Sequence, residues 1–171
     1  AMETSRDVIA VGADNAGADL KNLIKNAIEQ DGRYEVVDFG VAHAGDDTAY
    51  PHVGLRVAKA VAEGRARRAV LVCGTGIGMA ISANKVPGVR ATVAHDSYSV
   101  ERSVLSNNCQ VLALGARVIG PELALKLVRE WLTYEFDETS PSAQKVAVIS
   151  EFESTLASGS GSDGQEDLAG C

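Results

Sequence analysis

The sequence lacks the features that mark several common functional classes. Its three cysteines, Cys73, Cys109 and Cys171, lie far apart and form no CxxC or Cys-His spacing, which argues against a disulfide framework and a metal site. No apolar run reaches about 18 residues, so the sequence predicts a soluble, cytoplasmic protein without a membrane partner. The net charge of −7 leaves no basic excess of the kind that nucleic-acid binding needs. A small anionic ligand is compatible with this charge, because it needs only a local cluster of donors.

Short apolar runs alternate with amphipathic segments along residues 1–153. Strands that alternate with helices pair in parallel, because each crossover helix covers one face of the sheet. We therefore predict one doubly wound, Rossmann-like α/β domain with a five-stranded parallel sheet and helices at its C-terminal end. Residues 154–171 are acidic and rich in Gly and Ser, and they predict a disordered tail. The predicted strands are residues 7–13, 34–39, 68–73, 89–95 and 110–114.

The segment CGTGIG at residues 73–78 ends the third predicted strand and opens a helix. Ligands of such sheets bind at the carboxyl ends of the strands, and exposed amide N–H groups at a helix start bind anions. Cys73 lies beside these amides, a setting that stabilises a thiolate and allows it to act as a base. The hydroxyl of Thr75 is placed to hold developing negative charge. A ligand-free turn with Cys73 as a small buried hydrophobe is the structural alternative.

Two other interpretations stay open from the residues alone. Asp14 ends the first predicted strand and suits either substrate binding or the capping of the first helix. Asp96 follows the fourth strand about twenty residues after the glycine turn, as an adenosine-ribose acid does, which leaves a nucleotide-binding module as the alternative function. The three histidines, His43, His52 and His95, form no spacing with Cys73 that indicates a nucleophile pair, and we predict structural roles for them.

Five motifs, in this order, resemble the ribose-5-phosphate isomerase B family, which includes the galactose-6-phosphate isomerase subunits. The resemblance implies an aldose-ketose isomerase whose cysteine moves a proton between C1 and C2 of an open-chain sugar phosphate through an enediolate. It implies no metal or organic cofactor. It also implies a homodimer, or a dimer of dimers, in which each pocket is completed by the partner subunit. The motifs are GADNAG (12–17), YPH (50–52), CGTGIG (73–78), ANKVPG (83–88) and GAR (115–117).

The same resemblance assigns roles to individual residues. The implied catalytic residues are Cys73 as the base, Thr75 as a stabiliser of the enediolate, and Asp14. Arg117 and Lys145 match phosphate-binding cations of the family. The full implied substrate-binding set is Asn15, Tyr50, Gly74, Gly76, Gly78, Asn84, Ser106, Asn107, Arg117 and Lys145.

Two positions depart from the family pattern. Many members have a phosphate-binding His where Asn15 stands, and many have a ring-opening His where Ser106 stands. A serine hydroxyl is a poor acid or base near neutral pH, so furanose opening is expected to suffer. A tetrose 4-phosphate cannot close a five-membered ring and needs no ring opener. Residues 95–109 resemble the branch linked to erythrulose and erythrose 4-phosphates, and also fungal members labelled ribose-5-phosphate isomerases. The substrate is therefore expected to be a four- or five-carbon sugar phosphate.

Overall fold

Five parallel strands form the central sheet of the protein. The computed structural model describes residues 5–159. The spatial order of the strands is β2-β1-β3-β5-β4, so the chain first moves from β1 to one side and then returns across the sheet to β3. This reversal between β1 and β3 is the switch point at which such sheets bind ligands. The strands are β1 (Asp7–Ala13), β2 (Tyr34–Asp38), β3 (Arg68–Cys73), β4 (Ala91–Val93) and β5 (Val111–Gly115).

Helices cover both faces of the sheet. Side chains alternate along β3, so that Val70 and Val72 pack on one face while Leu71 and Cys73 pack on the other. The first face is covered by α1, α4 and α5, and the second by α2 and α3. The predicted doubly wound fold is confirmed. The helices are α1 (Ala18–Asp31), α2 (Tyr50–Ala62), α3 (Ile77–Asn84), α4 (Ser97–Leu105), α5 (Pro121–Thr133) and α6 (Pro141–Ser158).

Some element bounds differ from the prediction. The fourth strand is predicted over residues 89–95 but is only Ala91–Val93, because it lies at the sheet edge and pairs with β5 alone. The last helix continues to Ser158, five residues into the segment that the sequence assigns to the tail. Residues 160–171 of that predicted tail lie outside the described residues. None of the described helices is long and apolar enough to cross a membrane.

Candidate active site

The carboxyl ends of β1, β3 and β5 bring three predicted site residues to one edge of the sheet. Both β1 and β5 pair with β3, which ends at Cys73. Asp14 follows β1, and its backbone N–H donates to the carbonyl of Val72 at 3.3 Å. Arg117 follows β5, and its backbone N–H donates to the carbonyl of Gly74 at 3.0 Å. The sheet therefore places Asp14 and Arg117 on either side of Cys73.

The Cys73 turn, residues 73–78, directs a backbone donor at the thiol. The Sγ atom of Cys73 accepts a hydrogen bond from the N–H of Gly76 at 3.1 Å. Gly76 has a φ of +82°, and a Cβ there would lie 3.0–3.1 Å from the backbone of Ala113 and Leu114. Only glycine fits this combination of positive φ and close approach. An N–H aimed at sulfur at a helix start stabilises negative charge on that sulfur.

Cys73 and Thr75 differ in their access to solvent. Cys73 is buried, with 5% of its surface exposed, whereas Thr75 is exposed and Gly74 is half-buried. The hydroxyl oxygen of Thr75 accepts from the N–H of Ile77 at 3.2 Å. Because a hydroxyl both accepts and donates, this bond leaves the O–H proton of Thr75 available for a ligand oxygen.

Tyr50 and Arg117 flank the turn, and two glycines give them room. A Cβ on Gly78 would lie 2.4 Å from Cε2 of Tyr50, so the ring of Tyr50 packs directly on Gly78. A Cβ on Gly74 would lie 3.3 Å from Nη1 of Arg117, so the guanidinium lies over Gly74. An aromatic ring and a cation thus border the same short turn.

The loop after β1 supplies an acid and an amide to this edge. Oδ1 of Asp14 accepts from the N–H of Gly17 at 3.1 Å, which holds a turn just before α1 begins at Ala18. Oδ1 of Asn15 accepts from the N–H of Ala16 at 2.9 Å. The interpretation of Asp14 as the cap of α1 is wrong, because the N-cap is Gly17 and no side chain caps that helix end. The second carboxylate oxygen of Asp14 is left for the proposed substrate contact.

Ser106 and Asn107 lie at the amino-terminal end of the strands, whereas Cys73 lies at their carboxyl end. They follow α4 and precede β5, whose last residue, Gly115, pairs with Cys73. At about 3.3 Å per residue, the length of β5 alone spans about 13 Å between these two levels. Oγ of Ser106 accepts from Nη1 of Arg102 at 3.2 Å, and Nδ2 of Asn107 donates to the carbonyl of Arg102 at 3.1 Å. One chain therefore does not bring these two predicted residues to the Cys73 turn.

Asn84 and Lys145 are also separate from the Cys73 turn. Asn84 ends α3, and its amide exchanges two hydrogen bonds of 2.8 Å with the backbone of Ala91, which ties α3 to the start of β4. Lys145 is exposed on α6, one turn before Ile149. The predicted substrate-binding set thus divides into residues around the Cys73 turn and residues elsewhere in the chain.

A groove of about 470 Å³ lies beside β4 and does not include Cys73. We call it the β4 groove, and its lining includes Arg102, Asn107, Cys109 and Ile149. Burial raises the pKa of the Cys109 thiol to about 11, against a smaller opposing effect of Arg90. At neutral pH this second thiol is therefore protonated and a poor nucleophile.

An ion pair beneath the loop after β2 was not singled out from the sequence. Nζ of Lys21 lies 2.8 and 3.0 Å from the two carboxylate oxygens of Asp38, and the lysine side chain is only 1% exposed. Oδ1 of Asp38 also accepts from the N–H of Gly40 at 2.8 Å. The signal was present in the sequence, because Lys21 stands three and seven residues before Ile24 and Ile28, on the apolar face of α1.

The residues between β4 and α4 have structural partners. Nε2 of His95 accepts from the N–H of Gly115 at 2.9 Å, and burial lowers the pKa of His95. Oδ1 of Asp96 accepts from the N–H of Ser99 at 2.7 Å and caps α4, and these hydrogen bonds lower the pKa of Asp96. Since β5 separates β4 from β3, Asp96 does not border the Cys73 turn, and the geometry does not favour the nucleotide interpretation.

The described residues 5–159 contain no group of three or more His, Cys, Asp or Glu side chains placed to hold a metal ion. The polar groups around the Cys73 turn are a thiol, a hydroxyl, a phenol, an amide, the Asp14 carboxylate, a guanidinium and backbone N–H groups. Such groups suit a polar, anionic organic ligand.

Comparison with known proteins gives a consistent result. The family model described as Ribose/Galactose Isomerase matches residues 9–149. The D-erythrulose-4-phosphate isomerase 2 of Mycolicibacterium smegmatis is 54% identical over 85% of this chain and 96% of its own length. The ribose-5-phosphate isomerase B of Escherichia coli is 41% identical over 85% of this chain and 95% of its own length.

Solved structures agree with this relationship. The ribose-5-phosphate isomerase B of Clostridium thermocellum superposes with a TM-score of 0.83 at 42% identity, over 87% of this chain and 99% of that one. A third relative, the D-erythrulose-4-phosphate isomerase of Pectobacterium atrosepticum, is 50% identical over 85% of this chain and 94% of its own length. The chain therefore belongs to the Ribose/Galactose Isomerase family.

Proposed function

We propose that this protein interconverts the aldose and ketose forms of a small sugar phosphate, with Cys73 as the base. The observation that carries the proposal is the hydrogen bond from the Gly76 N–H to Sγ of Cys73, in a turn bordered by Asp14, Tyr50 and Arg117. The activities named for the relatives are of the same class. Residues 1–153 are the proposed isomerase domain.

In the proposed reaction Cys73 moves one hydrogen between two carbons. The thiolate removes the proton from C2 of the aldose, and the resulting thiol returns a proton to C1, which gives the ketose. The hydroxyl proton of the C2 oxygen passes in the same direction to the C1 oxygen, so C1 becomes the alcohol, C2 becomes the carbonyl, and the isomerisation is balanced without a cofactor. The Thr75 hydroxyl and the amides of the turn stabilise the enediolate. The low exposure of Cys73 suits this intermediate, because water is kept from it.

Arg117 is the proposed phosphate ligand. Its guanidinium lies over Gly74, within the group of backbone amides that opens α3. A guanidinium and a helix start are both favourable partners of a phosphate. Asn15 lies on the adjacent loop and offers a neutral amide where many family members place a histidine. We propose that Arg117 therefore provides most of the charge that binds the phosphate at this edge.

We propose a four-carbon substrate, D-erythrulose 4-phosphate or D-erythrose 4-phosphate. Ser106 carries a hydroxyl that accepts from Arg102, and such a group is a poor catalyst of ring opening near neutral pH. A tetrose 4-phosphate has its 4-oxygen blocked by phosphate and stays open, so it needs no such catalyst. Two relatives at 54% and 50% identity are named for D-erythrulose 4-phosphate.

A rate comparison tests the substrate. We expect kcat/KM for D-erythrulose 4-phosphate to exceed that for D-ribose 5-phosphate by about tenfold or more, and we expect the variant Ser106→His to narrow this ratio. A preference of the unmodified protein for the pentose contradicts the four-carbon assignment but leaves the isomerase class intact. Absence of turnover with four-, five- and six-carbon sugar phosphates contradicts the isomerase class itself.

We further propose a homodimer that shares its active sites. Ser106 and Asn107 can reach a Cys73 turn only on a second copy, because within one chain they lie at the other edge of the sheet. Helix α6 offers a surface for such a contact: Phe152 and Leu156 are 64% and 65% exposed, and Val148 is exposed beside them. An apolar stripe of this kind is typical of a protein-protein interface.

Cys73 and Cys109 are free thiols, which suits the cytoplasmic location that we propose.

Complementation tests the shared site. The variants Cys73→Ala and Asn107→Ala are each expected to be poorly active as homodimers. Co-expression in equal amounts produces mixed dimers with one intact site, so about a quarter of the unmodified activity returns. Recovery no greater than the sum of the two variants contradicts the shared site, while leaving the role of Cys73 to be judged from its own variant.

A further inference from the structure

The backbone pairing between β4 and β5 stops before the site is reached. β4 pairs with β5 over Ala91–Val93, but β5 continues to Gly115. The N–H of the next residue, Ala116, donates to the carbonyl of Cys73 at 2.9 Å on the β3 side. Successive N–H groups of a strand point to opposite sides, so the Gly115 N–H faces the β4 side, beyond the end of the ladder.

His95 supplies the acceptor that the β4 backbone does not. Its Nε2 atom accepts from the Gly115 N–H at 2.9 Å, two residues after β4 ends. A neutral imidazole that accepts at Nε2 carries its proton on Nδ1. The side chain of His95 thus extends the connection between β4 and β5 by one hydrogen bond, up to the edge that holds the Cys73 turn.

Gly115 is in direct contact with the Cys73 turn. It is the register partner of Cys73 on β3. A Cβ on Gly115 would lie 2.8 Å from the Cα, carbonyl carbon and carbonyl oxygen of Thr75, so the two backbones pack without intervening atoms. Close-packed backbone transmits small displacements. A shift of Gly115 therefore moves Thr75, and with it the amides around the Cys73 sulfur.

We propose that His95 is a positioning residue for the isomerase site, acting on the Cys73 turn through Gly115. The inference rests on the proposed function, since it assigns His95 to the same reaction. The imidazole does not touch the substrate in this assignment. The imidazole accepts from the Gly115 N–H and thereby fixes the distance between the Thr75 hydroxyl, which stabilises the enediolate, and the Cys73 thiol, which transfers the proton.

The role requires an uncharged His95. A protonated imidazole carries N–H groups on both ring nitrogens and would direct a donor at the Gly115 N–H. Burial lowers the pKa of His95, and the neighbouring Asp96 carboxylate acts in the opposite direction with a smaller effect. Asp96 is also the N-cap of α4, so its position is fixed by the Ser99 N–H. The neutral form is therefore the one present at and above neutral pH.

Two variants of His95 separate positioning from simple packing. His95→Leu fills the space but removes the acceptor, and we expect kcat to fall about tenfold with a smaller change in KM. His95→Gln places an amide oxygen near the position of Nε2, and we expect it to restore most of kcat. His43→Leu is the matched control, because His43 also accepts from a glycine N–H, that of Gly45, but in an exposed loop. Unmodified kcat in His95→Leu, or no recovery in His95→Gln, overturns the proposal.

A second measurement does not depend on any activity. The Gly115 amide resonance, followed by ¹⁵N NMR, should shift as pH falls below about 6.5 in the unmodified protein and not in His95→Gln. The amide resonances of Thr75 and Gly76 should shift with it. A constant Gly115 resonance overturns the positioning role even in a fully active enzyme. If no sugar phosphate is isomerised but these resonances titrate together, the proposed function fails while the connection from His95 to the turn stands.

Discussion

The two described cysteines lie at opposite ends of the sheet strands, Cys73 at the carboxyl end and Cys109 at the amino end. Their surroundings differ although their burial is nearly equal. Cys73 is 5% exposed and Cys109 is 7% exposed. The sulfur of Cys73 accepts a hydrogen bond from the Gly76 N–H, whereas burial alone dominates at Cys109 and raises its pKa to about 11. Solvent exposure therefore does not distinguish the thiol proposed as the base from the thiol of Cys109. The direction of the neighbouring backbone dipoles does.

The difference arises from the chain segment that adjoins each thiol. After Cys73 the chain turns through Gly76, whose positive φ brings its N–H back to the sulfur. Before Cys109 the chain passes through Asn108, with a φ of +48°, and the backbone N–H of Cys109 itself donates to the carbonyl of Ser103. Both segments use a left-handed residue. Only in the first segment does the left-handed residue donate its N–H to the sulfur of the cysteine.

Replacement of the thiols is expected to give the largest contrast. Cys73→Ala should lower kcat by about 10²- to 10⁴-fold, the range that a general base contributes. Cys73→Ser should be almost as poor, because a serine hydroxyl is far less acidic than a thiol. Cys109→Ala should retain kcat within about twofold, since it alters a buried contact at the other edge. Steady-state kinetics together with circular dichroism measure both; an active Cys73→Ala protein would move the base elsewhere, with Asp14 the first candidate.

A change in the turn should have the next largest effect. Gly76→Ala forces a Cβ against the backbone of β5 and displaces the N–H from Cys73, so we expect kcat to fall about tenfold to a hundredfold. Gly32→Ala is the matched control. Gly32 has a φ of +78° but no atom within 4 Å of the added Cβ, so it has the same backbone strain far from the site. Equal kcat in the two variants would show that the turn has no catalytic part.

Loss of the flanking cation is expected to act on binding more than on turnover. Arg117→Ala should raise KM about tenfold and change kcat less, because a phosphate is held equally in the ground and transition states. Arg129, exposed on α5, provides the control variant Arg129→Ala, which should leave KM unchanged. An unchanged KM in Arg117→Ala would remove Arg117 from the phosphate site.

The sequence predicted this edge of the sheet well because its signals are local. The predicted bounds of β3 match the structure, and the glycine turn that follows it is one continuous motif at residues 73–78. The alternation of strands and helices predicts parallel pairing for general reasons of chain connection. Cys73, Thr75 and Arg117 could therefore be grouped from the residues alone, whereas Tyr50 was assigned to the site only by the resemblance to the family.

The remaining site residues depend on the order of the strands in space, which sequence alone does not determine. The insertion of β5 between β3 and β4 separates Asp96 from the Cys73 turn. Ser106 and Asn107 lie at the amino-terminal end of β5 because they follow α4 and precede that strand. Their proposed use by a second copy depends on the packing of two chains, which the sequence of one chain does not determine. The pairing of Lys21 with Asp38 likewise joins two elements whose contact becomes evident only when α1 packs beside β2.

The smallest expected effect is on the pH dependence of the free energy of unfolding, and it concerns Cys109. Its pKa is about 11 in the folded protein, against 9.0 for an unperturbed thiol, so the folded state keeps its proton where the unfolded chain has lost it. The stability that this proton contributes is complete below pH 9 and is lost as pH rises from 9 towards 11. Between pH 8 and 10.5, urea unfolding should show a loss about 1–2 kcal/mol greater in the unmodified protein than in Cys109→Ala. Equal losses would mean that the Cys109 thiol is not desolvated, and the contrast between the two edges would then rest on Cys73 alone.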